Sequence, residues 1–133
     1  TRRFRALKLY MSIKTFGLSA FKKAITYNID LTESLEVLLR KSPNWEVVSH
    51  ATLAVINFRY NPISKKYSEK KLDHFNQEIS HRIITSEEAL LVTTILQGKV
   101  VLRMCLINPR TTIKDVKQTL DKCLSFVEEI LIE

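Results

Sequence analysis

The sequence contains few of the residues from which compact catalytic motifs are built. Its 133 residues include two glycines, two cysteines and three prolines. Gly17 and Gly98 are too few to form a glycine-rich phosphate loop, and no Gly-x-Ser-x-Gly nucleophile motif occurs. Cys105 and Cys123 form neither a dense disulfide framework nor a metal-ligand spacing, which favours a reducing cytoplasm. We therefore expect no catalytic residue in this chain.

Long apolar runs are also missing. Stretches such as residues 90–92 and 100–102 are far shorter than the ~20 residues of a membrane-spanning helix. The composition, 45% apolar and 26% charged, is typical of one globular domain with a core. The basic first residues are followed by Lys8 and Lys14 and by no small-residue cleavage site, so no export signal is predicted. The chain begins without methionine inside a helical pattern, which indicates a piece of a longer protein.

Acidic residues are absent from the first part of the chain. Lysine and arginine total 21 against 14 acids, a net charge of +7, and the first acid is Asp30. A basic leading segment is typical of a nucleic-acid arm, an anionic-membrane helix or a surface that docks on an acidic partner. A solvated helix face explains it equally well. The basic residues before Asp30 are Arg2, Arg3, Arg5, Lys8, Lys14, Lys22 and Lys23.

Apolar periodicity predicts the secondary structure. Apolar residues return every three or four positions over 4–16 and 19–41, which predicts two helices that are separated at Gly17 and ended by Pro43. Residues 45–49 and 53–60 are rich in β-branched and aromatic types, so they predict two antiparallel strands around a turn at 49–52. A third helix follows, with Ser68 as its N-cap.

The last third of the chain predicts a hairpin and a helix. Strands at 90–96 and 99–107 flank Gln97-Gly98, whose glycine permits a tight turn. Thr112 and Asp115 form a capping box for the final helix. Its predicted buried stripe consists of Ile113, Val116, Leu120, Leu124, Val127 and Leu131. The order helix, helix, β-β-α-β-β-α predicts an α+β fold with an antiparallel-rich sheet covered by helices.

The histidines do not predict a metal site. His50 falls in the predicted turn, and His74 and His81 lie seven positions apart on a predicted helix. Seven residues correspond to a rise of ~10 Å, which is too far for two side chains to share one ion. We expect no metal and no cofactor-binding residue in this chain.

Arg103 is the one candidate for a binding residue. It interrupts the apolar run at 100–107, and an arginine there must find an anion or reach water, because burying it unpaired is very costly. Its guanidinium matches a ligand carboxylate in two parallel hydrogen bonds. An internal pair with Glu87 or Glu88, or an outward-pointing position on an edge strand, explains the same residue. The pattern alone favours these structural explanations over a ligand.

Two motifs resemble those of a known family. Residues 2–10 read RRFRALKLY and are followed by Gly17, and residues 101–112 read VLRMCLINPRTT. The first resembles the segment after the cofactor-binding lysine of group II pyridoxal-phosphate decarboxylases, and the second resembles their last strand and final helix entry. The order, separation and distance of the two motifs from the C-terminus also match. Tyr10 departs from the family, in which tryptophan is common at that position.

The resemblance implies a fold and a role. The chain would be the C-terminal small domain of a fold type I, aspartate-aminotransferase-type enzyme, with residues 1–42 as the helical link to a large cofactor domain and 43–133 as the α+β domain. The intact parent would be a cytoplasmic homodimer that holds pyridoxal 5'-phosphate and removes the α-carboxylate of an amino acid as CO2. The family's cofactor lysine, ring-facing aspartate and stacking histidine all precede this segment, so the chain alone is expected to be inactive. The residue that matches Arg103 binds the substrate carboxylate in glutamate-decarboxylase-like members.

Two alternatives remain. A free-standing basic α/β module that binds RNA is disfavoured because Phe4, Tyr10, Phe16 and Phe21 recur at the spacing of a helix core rather than on an exposed stacking surface. The other is the small domain of a pyridoxal-phosphate enzyme with a different reaction. If a large domain is missing, we expect Phe4, Leu7 and Met11 to be partly exposed.

Overall fold

The computed structural model of the protein describes residues 4–132. The predicted order of elements is confirmed over this range, and so is the α+β class. The elements are α1 (Ala6–Phe16), α2 (Leu18–Lys41), β1 (Trp45–Thr52), β2 (Val55–Tyr60), α3 (Glu69–Thr85), β3 (Val92–Leu96), β4 (Lys99–Cys105) and α4 (Ile113–Ile132).

The strands form one antiparallel sheet in the order β1-β2-β4-β3. β4 therefore lies inside the sheet, with β2 on one side and β3 on the other. Side chains of a strand alternate between the two faces of a sheet, so each strand contributes residues to both.

The helices cover one face of the sheet. Ile56 and Phe58 of β2 and Leu102 and Met104 of β4 belong to one buried cluster with apolar residues of α2, α3 and α4. The residues between them, Asn57 and Arg103, therefore point to the opposite side, which we call the second face. The helical members of the cluster are Leu31, Leu35, Leu39, Leu72, Phe75, Ile79, Ile83, Val116, Leu120, Cys123, Phe126 and Val127.

Local hydrogen bonds begin α3 and α4 as predicted, whereas the strands predicted at 90–96 and 99–107 are shorter in the structure, at Val92–Leu96 and Lys99–Cys105. The Ser68 hydroxyl accepts from the backbone N–H of Lys71 at the start of α3. At the start of α4, the backbone N–H of Thr112 donates to Asp115 Oδ2 over 2.8 Å, and the N–H of Asp115 donates to Thr112 Oγ1 over 3.4 Å. This reciprocal pair is the predicted capping box. Gly98 sits in the β3–β4 turn at φ 73°, a conformation that favours glycine.

The predicted turn between β1 and β2 was wrong. The structure extends β1 to Thr52 and turns at Leu53 and Ala54, which adopt φ values of 49° and 62°. Thr52 pairs with Val55, so the turn has two central residues, both in the left-handed region that a tight hairpin requires. Neither is glycine or asparagine, the usual residues of such turns. The turn was predicted at 49–52 instead, because that stretch contains polar residues. His50 accordingly lies in β1.

The buried stripe of α4 differs from the prediction at its ends. Val116, Leu120 and Val127 are buried as expected, together with Cys123 and Phe126, whereas Leu124 is only partly buried against the core. Ile113 and Leu131, which lie at the two ends of the helix, are exposed. An apolar repeat predicts the face of a helix but not the length over which a neighbour covers it.

α1 contributes no buried residue, in contrast to α2. Phe4, Tyr10 and Phe16 are exposed, so the expectation that these aromatic residues occupy core positions was wrong for this chain. The expected exposure of Phe4, Leu7 and Met11 is confirmed. The second half of α2 packs on β1 within the common core. The division of the chain at residue 42 stays a prediction.

Candidate functional site

A row of four residues crosses the second face of the sheet. Ser49 of β1 is paired with Asn57 of β2, Asn57 with Arg103 of β4, and Arg103 with Val92 of β3. Directly opposed residues of antiparallel strands have Cβ atoms about 4.5–5.5 Å apart, so neighbouring side chains of the row lie side by side. Three of the four are polar, and Arg103 stands in the interior of the sheet.

Arg103 is exposed and free within the described part of the chain. Its neighbours along β4, Leu102 and Met104, are buried against the helices, whereas Arg103 itself reaches solvent. Its side chain forms no hydrogen bond or ion pair with any residue in 4–132. Glu88 pairs with Lys122 instead, at 3.7 Å, and β4 is not an edge strand. Its binding of a carboxylate stays a prediction.

Asn57 is a polar residue of this row that sequence reasoning missed. Its Nδ2 donates a hydrogen bond to Ser49 Oγ over 2.8 Å. Its Oδ1 is buried and has no hydrogen-bond partner among residues 4–132. The available signal was the interruption of the apolar strand Val-Ile-Asn-Phe at 55–58 by an amide.

Arg59 is the second arginine within a strand, and it serves a different purpose. Its side chain is only 2% exposed. Its Nε donates to Glu46 Oε2 over 2.6 Å, and Nη1 and Nη2 donate to the two oxygens of Glu69 over 2.7 and 3.3 Å. Lys99 Nζ lies 3.4 Å from Glu46 Oε1. The charge of Arg59 is therefore neutralised within the fold, unlike that of Arg103.

The carboxylates around Arg59 are held in the charged form. Burial acts to raise the pKa of Glu46, but the hydrogen bonds from Arg59 and Asn61 and the charges of Arg59 and Lys99 outweigh it and lower the pKa. The hydrogen bond from Arg59 lowers the pKa of Glu69. These groups act as a structural ion-pair network.

The histidines and cysteines lie apart from one another. His50 Nδ1 lies 2.9 Å from Glu36 Oε1, while His74 and His81 are exposed on α3. No group of three metal-ligating side chains occurs within residues 4–132. Cys105 is exposed, two positions after Arg103 on the second face. Cys123 is buried in the core, and its burial raises the pKa of the thiol to about 12.

No helix in the part of the chain that the structure describes is both long and apolar enough to cross a bilayer. No protein-family model matches the sequence.

Individual proteins do match. The chain is 42% identical over 132 residues to the aromatic-L-amino-acid decarboxylase of Bacillus atrophaeus. The aligned residues cover 99% of this chain and 27% of that protein. It is 36% identical over 117 residues to phenylacetaldehyde synthase of Arabidopsis thaliana, covering 88% of this chain and 24% of the relative. The chain thus spans about a quarter of the length of these relatives.

The fold matches solved structures of the same kind. The crystal structure of Oryza sativa TDC with PLP and tryptamine superposes with a TM-score of 0.84 at 25% identity, over 97% of this chain and 28% of that one. The chain belongs to the group II pyridoxal-phosphate decarboxylase family, in which it corresponds to the C-terminal domain.

Proposed function

We propose that this chain is the part of a pyridoxal-phosphate-dependent amino-acid decarboxylase that binds the substrate carboxylate. The observation that carries the proposal is Arg103, an exposed cation on an interior strand with no partner among the described residues. The family supports the reaction class, since the relative at 42% identity is named a decarboxylase. The reaction releases the α-carboxylate of an amino acid as CO2.

The residues of this chain fit the substrate side of such a site. Arg103 offers a planar fork of N–H donors, which matches a carboxylate in two parallel hydrogen bonds. The glycines lie at the α1–α2 break and in the β3–β4 turn, so no phosphate cradle is assigned to this chain. When bound in the parent, pyridoxal phosphate supplies the electron sink for the electron pair left by the broken bond.

Arg103 would act by fixing the orientation of the substrate carboxylate. A carboxylate held at two oxygens has one fixed direction, and the bond between it and the α-carbon is then fixed as well. Holding that bond perpendicular to the cofactor ring favours its cleavage over that of the other bonds at the same carbon. Arg103 thus selects the reacting bond while other parts of the parent supply the chemistry.

The compartment and assembly are part of the proposal. Both cysteines are free thiols, which favours a reducing cytoplasm. The exposed apolar side chains of α1 favour association, and the family implies a homodimer.

A second candidate reaction has a specific observation in its favour. The Arabidopsis relative at 36% identity is named a phenylacetaldehyde synthase. The parent of this chain would in that case convert the amino acid, dioxygen and water into an aldehyde, CO2, ammonia and hydrogen peroxide, instead of releasing an amine. Chromatography of the products from a panel of amino acids, with amine and aldehyde standards, separates the two reactions.

Replacing Arg103 in the full-length polypeptide tests the proposal. Arg103→Lys keeps the charge and loses the paired geometry, so we expect transition-state stabilisation to fall by roughly 1.5–3 kcal/mol, measured as kcat/KM. Binding of pyridoxal phosphate, followed by its absorbance, should stay unchanged. Arg110→Lys, on the exposed loop after β4, is the matched control and should behave like the wild type. Normal kcat/KM in Arg103→Lys would contradict the proposal.

Cys105 provides an independent readout of occupancy. Residues two apart on a strand share a face and lie about 7 Å from each other. A carboxylate bound at Arg103 should therefore slow alkylation of Cys105, which peptide mass spectrometry measures. Cys123 is the internal control because it is buried and stays protonated.

A further inference from the structure

The orientation of the Asn57 side chain identifies a further feature of the carboxylate site. Asn57 lies between Ser49 on β1 and Arg103 on β4 within the row that crosses the second face. Its Nδ2 donates to Ser49 Oγ, on the β1 side. The two polar atoms of an amide point in divergent directions, so Oδ1 is directed away from Ser49 Oγ. On the side of Asn57 opposite to Ser49, the next residue of the row is Arg103.

Oδ1 lacks the hydrogen bond that a buried oxygen needs. It is inaccessible to solvent and has no donor among residues 4–132. Buried polar atoms in native proteins are nearly always satisfied, so this exception calls for a hydrogen-bond donor. The guanidinium of Arg103 has five N–H donors, none of which is used within the described chain.

We infer that Asn57 is a positioning residue for Arg103. Its Oδ1 accepts one guanidinium N–H while two others bind the substrate carboxylate, and Ser49 fixes the amide in the orientation that this requires. The guanidinium plane is thereby held at one angle to the sheet. This inference deepens the proposed function and rests on it, since it presupposes that Arg103 binds a carboxylate.

The inference differs from a structural role in what it predicts for ligands. A carboxylate-bearing substrate uses Arg103, whereas the product amine has lost its carboxylate and does not. A defect in the positioning of Arg103 therefore weakens the binding of the substrate but not that of the product amine. A general disturbance of the sheet weakens the binding of both ligands.

Asn57→Leu in the full-length polypeptide is the principal test, because leucine has a similar shape and no acceptor. We expect KM for the amino acid to rise about tenfold, with a smaller change in kcat, since a lost hydrogen bond to a charged group has that order of effect. The inhibition constant of the product amine should stay within about twofold of the wild type, because the amine lacks the group that Arg103 binds. Thr94→Val is the matched control, since Thr94 faces the same side opposite Val101, away from Asn57.

If Asn57→Leu does not fold, Asn57→Asp is the variant to measure instead. The new carboxylate would pair with Arg103 and compete with the substrate, so KM should rise further than in Asn57→Leu, and the product amine should again bind normally. Ser49→Ala removes the anchor of the amide and should change KM in the same direction by less.

The outcomes separate the two proposals. If Arg103→Lys raises KM and the Asn57 variants do not, the role of Asn57 is refuted and the proposed function stands. If the Asn57 variants weaken the binding of the substrate and of the product amine equally, Asn57 has a structural role and the inference that it positions Arg103 is refuted. If Arg103→Lys itself leaves kcat/KM unchanged, the carboxylate site is refuted, whatever the Asn57 variants show.

Discussion

The two strand arginines show how differently one residue type is used on a single sheet. Arg59 is buried and binds Glu46 and Glu69 through three of its N–H groups. Taking a charge out of water is costly unless it is paired, so this network is needed for Arg59 to be buried at all. Arg103 remains exposed and needs no internal partner.

Removing the Arg59 side chain should destabilise the isolated chain. Arg59→Met leaves Glu46, which is 33% exposed, without its main partner, and we expect the free energy of unfolding to fall by about 1.5–3 kcal/mol, the usual contribution of hydrogen bonds to charged groups. Urea unfolding followed by circular dichroism measures the change. Lys122→Met is the control, since that lysine forms a more exposed pair with Glu88 and should cost less than about 1 kcal/mol. Equal losses of stability in Arg59→Met and Lys122→Met would contradict the stabilising role of the Arg59 ion-pair network.

The same network predicts an acid sensitivity. The pKa values of Glu46 and Glu69 lie below the ordinary value of 4.5. A carboxyl whose pKa is lower in the folded state contributes stability above its unfolded pKa and loses it as the pH falls through its folded pKa. The wild-type chain should therefore lose stability below pH 4.5, and the loss should be smaller in Arg59→Met. Urea unfolding midpoints of the wild type and of Arg59→Met, measured from pH 7 to pH 3, check this prediction. If the midpoints of both proteins fall with pH by the same amount, the prediction is wrong.

Individual elements depend on short-range chemistry at their ends. α4 begins with the reciprocal hydrogen bonds of Thr112 and Asp115. The backbone N–H and the hydroxyl of Thr112 both donate to Asp115, and they lower the pKa of its carboxyl. The cap is therefore charged at neutral pH, at the helix end that favours a negative charge.

Loss of the Thr112 hydroxyl should weaken α4. Thr112→Ala removes the side-chain cap, and we expect the chain to lose about 1 kcal/mol of stability, the usual contribution of an N-cap. Thermal unfolding is a suitable measurement. Thr111→Ala is a close control, because the only hydrogen bonds of Thr111 in the described chain use its backbone atoms. A control that is as unstable as Thr112→Ala would contradict the capping role.

At the scale of the whole molecule, the described chain has one core between the sheet and the helices. Arg103 and Cys105 on the second face are exposed, and α1 contributes no buried residue. The chain spans about a quarter of the length of its relatives. The second face and α1 both suit contacts with the rest of a larger protein.

The isolated chain should not bind pyridoxal phosphate or decarboxylate any amino acid. None of its lysines matches the family's cofactor-binding position, which precedes the segment that residues 2–10 resemble. Incubation with the cofactor, exhaustive dialysis and an absorbance spectrum test the first part, and a CO2-release assay tests the second. Cofactor absorbance that survives dialysis would show the prediction to be wrong.

The isolated chain should also associate. Leu7 and Met11 of α1 are about half exposed, and apolar patches of this kind favour contacts between copies. Sedimentation velocity should show dimers or larger assemblies through residues 1–42, and Met11→Lys should shift them toward monomer. Ile63→Lys, at an exposed apolar residue outside this segment, should not. A monomer at high concentration would contradict this prediction.

The sequence by itself determined the order of the elements, the caps at Ser68 and Thr112, the hairpin at Gly98 and the strand that holds Arg103. Each of these depends on residues within a few positions of one another, so local chemistry is sufficient. The turn at Leu53 lacked the usual turn residues, and its position was therefore missed.

Only the tertiary structure decided which arginine is free. Both lie within strands among apolar neighbours, and no local signal separates them. The partners of Arg59 lie 13 residues before it and 10 after it, and they meet it through strand register and the start of α3. The row that joins Ser49, Asn57 and Arg103 likewise depends on the pairing of three strands, including an irregular β1. Register is set by the packing of the whole sheet against its helices, which is why the site could not be assembled from sequence spacing alone.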